Sequence, residues 1–146
     1  MTTVWPWIAT AATGLFAGAA LYVTLVEHPA RVGCGPPMAV AQFRLSYPRG
    51  AALQAPLAVV GCLAGAVAWL ADAGLAWLGA GLLVGAVVPY TLVGIMPPNH
   101  RLLDRALEPD TPEAERLLRR WGHLHLVRTA LALIAFAWML RLLVRG

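Results

Sequence analysis

Trp121, His125 and Arg128 recur at i, i+4 and i+7, a spacing that puts all three on one stripe of a helix. An imidazole on that stripe titrates near neutral pH and can take a proton, and a guanidinium one turn away can hold the negative charge that proton removal creates. Trp121 adds a ring face on which a planar ligand can stack. His123 precedes His125 by two residues, which at about 100° per residue turns it roughly 160° away, so His125 is the inward candidate. A second polar cluster is Glu27-His28-Pro29-Ala30-Arg31, in which Glu27 and Arg31 form an i, i+4 pair and Pro29 weakens the local helix. His28 is a substitute base and Arg31 a second cation for an oxyanion. Tyr90 can stack on a ring system, Asn99 can bond a carbonyl or phenol, and Gln54 is the one polar residue of its apolar block.

Each of these residues also has a structural role open to it. Arg128 can snorkel to lipid headgroups, Trp121 can belong to an interfacial aromatic belt, and His125 can donate to a carbonyl. Glu27 with Arg31 can be an ion pair that makes a helix end tolerable, and Asn99, after two prolines, a turn or cap. A metal site is the competing chemistry: His28, His100, His123, His125, Met96 and Cys34 offer ligand types suited to haem iron or copper. They form no close ligand motif, and His123 and His125 point to different sides of a helix. The expectation is therefore a site with no cofactor and no metal ligands, with haem or copper as the alternative. A third class is a non-catalytic module that binds a quinone-like lipid or a partner protein through the same pocket. Ser46, the sole serine, lies outside any nucleophile-elbow pattern. Cys62 sits in an apolar block and Cys34 in a loop, so a bridge between them is not expected.

The elements that must position these groups follow from composition. Of 146 residues 60% are apolar and only 12% charged, against the roughly 25% charged residues of ordinary soluble domains. With a mean hydropathy of +0.69 the chain is neither a soluble domain nor a disordered tail. All 11 basic residues are arginine, dispersed between apolar blocks and not gathered into a nucleic-acid patch. Four blocks are long enough to cross the ~30 Å hydrocarbon layer. They cover about 4–28, 51–71, 73–96 and 121–144. Asp72 and Gly74 make a tight turn between the second and third, and Pro89 kinks the third. Met1-Thr2-Thr3 carries no basic side chain, which argues against a cleaved signal peptide and for retention of the first span. Each of the two longer connections, Arg31 to Gly50 and Pro97 to Arg120, has room for a short interfacial helix. A helix start at Pro112 is expected to run on into the fourth span. Glycine pairs four apart at Gly14/Gly18, Gly61/Gly65 and Gly81/Gly85 read as close packing within the chain, with a homo-oligomer left open. The fold class is an all-α, integral membrane, antiparallel four-helix bundle forming one domain over residues 1–146.

In such a bundle the end of span one, the start of span two, the end of span three and the start of span four share one membrane face. Glu27, His28, Arg31, Gln54, Tyr90, Asn99, Trp121, His125 and Arg128 all fall there. Ionisable residues at membrane depth are costly and mark a site, so one polar, histidine-containing pocket is expected near that face. Arginines crowd the same side, which by the positive-inside rule makes it cytoplasmic and puts both termini outside the cytoplasmic membrane.

Three segments carry a resemblance: Glu27-His-Pro-Ala-Arg31, Pro97-Pro-Asn-His-Arg-Leu102, and above all Trp121-Gly-His-Leu-His-Leu-Val-Arg-Thr129. Together they resemble the anthrone-oxygenase-like family of small four-span membrane proteins, over nearly the whole chain. The resemblance implies oxidation of an apolar polycyclic or phenolic substrate by O2, the type of reaction that turns polyketide anthrones into anthraquinones in secondary metabolism. The residues suit it: His125 as base with His28 as substitute, Arg128 or Arg31 for the enolate oxygen, and Trp121, Tyr90 and Asn99 to bind the rings and their oxygens. The expected partners are that substrate, O2 and the lipid bilayer.

Overall fold

A computed structural model describes residues 4–145; Met1-Thr2-Thr3, on which the argument against a cleaved leader rests, and Gly146 lie outside the described residues. Four helices are long and apolar enough to cross a membrane: α1 (Trp5–Gly33), α2 (Pro36–Ala73), α3 (Leu75–Leu103) and α4 (Pro112–Arg145). No strand occurs among the described residues. Leu15, Leu25, Leu63, Leu70, Leu82, Val93 and Ile134 are exposed along them. An outer surface this apolar is what an integral membrane protein presents to lipid, where backbone groups bond within each helix.

Contacts between neighbouring helices run in opposite order along the two partners. A Cβ on Gly14 would meet Phe136, Thr129 bonds the Ala20 carbonyl, and Thr24 reaches His125, so α1 ascends as α4 descends. In the α2–α3 hairpin Gly61 lies against Val84 and Gly65 against Gly81 and Trp77. Its turn is where Asp72 and Gly74 place it: Asp72 takes φ 62° and Gly74 φ 104°, left-handed values that Asp tolerates and Gly favours.

Gly14 and the pairs Gly61/Gly65 and Gly81/Gly85 pack inside the chain, whereas Gly18 is exposed and packs on nothing. A Cβ on Gly65 would stand 2.9 Å from Gly81 Cα and 2.9 Å from the Trp77 carbonyl oxygen, backbone atoms that cannot swing aside. Gly65→Ala is therefore expected to destabilise the protein by about 1–3 kcal/mol through overpacking. Gly18→Ala, which meets nothing within 4 Å, should change stability by less than about 0.5 kcal/mol. Thermal unfolding of the two variants in one detergent compares them.

The expected interfacial helices are not separate elements. The segment 38–49 is the first part of a helix that runs unbroken from Pro36 to Ala68 through Pro48 and Pro56. Each internal proline removes one backbone hydrogen bond, yet burial of Ala39, Val40 and Phe43 against Ile95, Leu102, Leu118 and Trp121 holds the helix through them. In α3, Pro97 and Pro98 open the helical segment Met96–Leu103 directly after a π-helical turn at Thr91–Ile95. There the missing N–H groups fall in a first turn, where they cost least. The kink expected at Pro89 takes the form of an interruption at Ala86, three residues earlier. The start of α4 is as read: the Ala114 N–H donates to the Thr111 hydroxyl at 3.3 Å, and the helix continues for 34 residues.

These extensions make a second, smaller core above the spans, separate from the one formed by Phe16, Trp77, Val84, Ala132 and Met139. Arg44 ties it together by donating to the carbonyls of Leu102, Asp104 and Leu107 at 3.1, 2.7 and 3.3 Å. In the connecting loop the Ala106 N–H, and then Arg101, hold the Asp104 carboxyl below its usual range. Cys34 and Cys62 are both free thiols, as expected.

Candidate functional site

All four helices contribute to one cavity of about 180 Å³ on the polar side of the bundle. Its walls carry Glu27 and Arg31 from α1, Tyr47 and Gln54 from α2, Thr91, Ile95 and Met96 from α3, and Trp121, His125 and Arg128 from α4. The remaining lining is largely small and apolar, including Ala51, Ala55, Ala58 and Val87. The volume exceeds the roughly 150 Å³ of an apolar cavity that accepts benzene, so an aromatic ring fits.

The i, i+4, i+7 stripe of α4 forms as its spacing requires. His125 is 2% exposed and stacks on Trp121, ring centroids 4.7 Å apart at 23°. Trp121 meets Phe43 edge-on at 5.3 Å. The Arg128 guanidinium lies 5.0 Å from the Phe16 ring centroid, and among the described residues no carboxylate pairs with it. His123, two residues before His125, is exposed.

Arg31 is held differently. It pairs with Glu27, donates to the Ser46 hydroxyl at 3.3 Å and lies over the rings of Phe43 and Trp121 at 5.5 and 5.6 Å. Gln42 donates to the same Glu27 oxygen at 2.9 Å. This ion pair is structural first, and it forms one wall of the cavity. The π-helical turn at Val23–Glu27, just before Pro29, sets the end of α1 that carries it. Several buried polar atoms around the cavity lack a hydrogen-bond partner among the described residues: Arg31 Nε, Arg128 Nε, Gln54 Oε1 and Trp121 Nε1. Buried groups of this kind are normally satisfied, and these four are covered by neighbouring protein atoms, so a ligand in the cavity would reach them only after a side-chain shift.

Six of the expected site residues thus meet at one cavity: Glu27, Arg31, Gln54, Trp121, His125 and Arg128. Three do not line it. His28 lies on the far side of Trp121, ring centroids 5.0 Å apart, in a second pocket with Thr24, Arg119, Gly122 and His123. It occupies the space that a Cβ on Gly122 would need, 2.5 Å from its Nε2. Asn99 is fully buried and donates to the Tyr47 hydroxyl at 2.7 Å, so it reaches the cavity only through Tyr47. Tyr90 donates its hydroxyl to the Leu124 carbonyl at 3.0 Å and fastens α3 to α4 instead of facing the cavity.

Four residues absent from the expected set surround the site: Tyr47 on its wall, Phe43 under Trp121, and Thr24 and Thr129 beside His125. Thr129 carried a signal, standing four residues after His125 on the same stripe. Thr24 comes from another helix and carried none. Among the described residues no three His, Cys, Asp or Glu side chains converge as metal ligands.

No curated protein and no solved structure matches the chain. The family model for anthrone oxygenase matches residues 43–138, a segment that carries Tyr47, Gln54, Tyr90, Asn99, Trp121, His125 and Arg128 and leaves Glu27, His28 and Arg31 outside it. With well over half its length matched, and with four long apolar helices, the chain belongs to the anthrone oxygenase family.

Proposed function

We propose that the protein is a membrane-embedded, cofactor-independent oxygenase that oxidises an apolar polycyclic or phenolic substrate with O2. The observation that carries this reading is the pairing, in one mostly apolar cavity, of a buried imidazole and an arginine without a carboxylate partner. An anthrone has an acidic methylene across the ring from its carbonyl. His125 takes a proton from that carbon, and Arg128 balances the charge that spreads to the carbonyl oxygen. Trp121 offers a face for the rings, and the Gln54 amide on the cavity wall can bond a ring oxygen.

The extended enolate passes one electron to O2, and the radical pair joins carbon to oxygen. The peroxide anion takes the proton back from His125; loss of water then leaves the second carbonyl. Anthrone plus dioxygen gives anthraquinone plus water, and the protein needs no external reductant. The bilayer concentrates both apolar reactants around the helices. The arginines of the two longer connections favour a cytoplasmic position for the site, where a product of cytosolic biosynthesis can enter.

The protein purified in detergent is expected to lack visible absorption and stoichiometric metal. It should consume about one O2 for each anthrone oxidised, from the stoichiometry above, with the quinone followed by its absorbance. A Soret band, or turnover lost with copper and restored by it, would make the histidines ligands and end this reading.

A further inference from the structure

The hydroxyls of Thr24 and Thr129 form a closed set of hydrogen bonds behind His125. Thr129 Oγ1 lies 3.0 Å from the His125 carbonyl oxygen and 3.3 Å from the Ala20 carbonyl oxygen. Thr24 Oγ1 lies 2.8 Å from Thr129 Oγ1 and 3.1 Å from His125 Nδ1. A carbonyl only accepts, and a hydroxyl has one proton to give. When Thr129 gives its proton to a carbonyl, its oxygen accepts from Thr24. Thr24 has then used its proton, and its oxygen can only accept from His125, so Nδ1 carries the hydrogen. This order makes three hydrogen bonds.

The reverse order, with Thr24 donating to Nδ1 and Thr129 donating to Thr24, makes two. It also places a hydrogen on Nε2, which no described residue accepts. Buried hydrogen-bonding groups settle in the order that satisfies most of them. We infer that Thr24 and Thr129 are positioning residues that hold neutral His125 as the Nδ1–H tautomer, with Nε2 left as its basic nitrogen. The inference rests on the reading of His125 as the base and deepens it. An imidazole can serve as a base only through its bare nitrogen, so the two threonines, which touch no substrate, choose which atom does the chemistry. Thr24 belongs to the π-helical turn Val23–Glu27, and Thr129 stands one helical turn beyond His125, so two different helices must meet to make the choice.

Nitrogen-15 NMR of histidine-labelled protein tests it, with the His125 signals identified by their loss in His125→Gln. At a pH above the imidazole titration, Nδ1 of the wild-type protein should show the shift of a protonated nitrogen and Nε2 that of a bare one. Thr24→Val removes the nearer acceptor for Nδ1–H and leaves the Thr129 hydroxyl, 3.4 Å away, so the double variant Thr24→Val/Thr129→Val, which removes both, should move the population toward Nε2–H. In the anthrone assay its kcat should fall about tenfold or more with KM little changed. Thr24→Ser keeps the hydroxyl and should restore both. A bare Nδ1 in the wild-type protein, which needs no variant to fold, overturns the inference, and so does an unchanged tautomer in the double variant. If Nδ1 is protonated as stated and yet His125→Ala still turns over, the base reading falls alone and the tautomer assignment stands.

Discussion

Replacing His125 by alanine is expected to lower kcat by about 10²–10⁴-fold, the usual contribution of a positioned general base. The effect should be one of chemistry and not of folding. Thr24 and Thr129 remain bonded to each other at 2.8 Å without the imidazole, and Thr129 keeps its carbonyl acceptors, so no buried hydroxyl is orphaned. Trp121 loses the ring it stacks on but keeps Phe43 at 5.3 Å and His28 at 5.0 Å. KM should change little, since a base acts mainly in the transition state. The gap left beside the cavity is imidazole-shaped, and added imidazole should recover part of the rate. His28→Ala and His123→Ala are the controls: one lies across Trp121 and the other is exposed, so both should stay within a few-fold of the parent. Undiminished turnover in His125→Ala would remove this residue from the mechanism.

The parts of the site legible in the sequence are those set by spacing along one helix. Trp121, His125 and Arg128 fall on a common face because 3.6 residues make a turn, and the ion pair of Glu27 with Arg31 follows from the same geometry. Four long apolar helices followed from the four apolar blocks, and the α2–α3 turn from Asp72 and Gly74. Contacts between helices were out of reach of that kind of reading. Nothing along the chain announces that Thr24 meets His125, or that the Asn99 amide is already committed to Tyr47. Tyr90 was misplaced for a related reason: α3 is interrupted at Ala86 and carries a π-helical turn at Thr91–Ile95, so regular spacing does not give the direction of its side chains there. The connections drawn from Arg31 to Gly50 and from Pro97 onward are largely helical in the fold, because the packing of Phe43 and Leu102 in the second core overrides the local break signals.

The two arginines on the cavity wall should respond to mutation in opposite ways. Arg128→Met is expected to reduce kcat by about 10²–10³-fold, the loss typical when a preorganised group that stabilises an oxyanion is removed. Its stability should be unchanged or higher: no carboxylate among the described residues depends on Arg128, and a methionine of similar length can cover Phe16 without a buried charge. Arg31 is bound into the protein by Glu27, with its side chain only 3% exposed. Glu27→Leu would leave that guanidinium with the Ser46 hydroxyl and two aromatic faces as its remaining partners. Stranding a buried charge in this way costs about 3–5 kcal/mol, a large share of the stability of a chain this size. Unfolding midpoints in detergent, measured beside initial rates of O2 uptake, separate the two roles. A stable but slow Arg128→Met with an unstable Glu27→Leu assigns one arginine to charge that appears during the reaction and the other to charge balanced within the fold. If Arg128→Met is instead as active as the parent, its guanidinium serves the membrane interface, and Arg31 is the cation left on the cavity wall for the enolate oxygen.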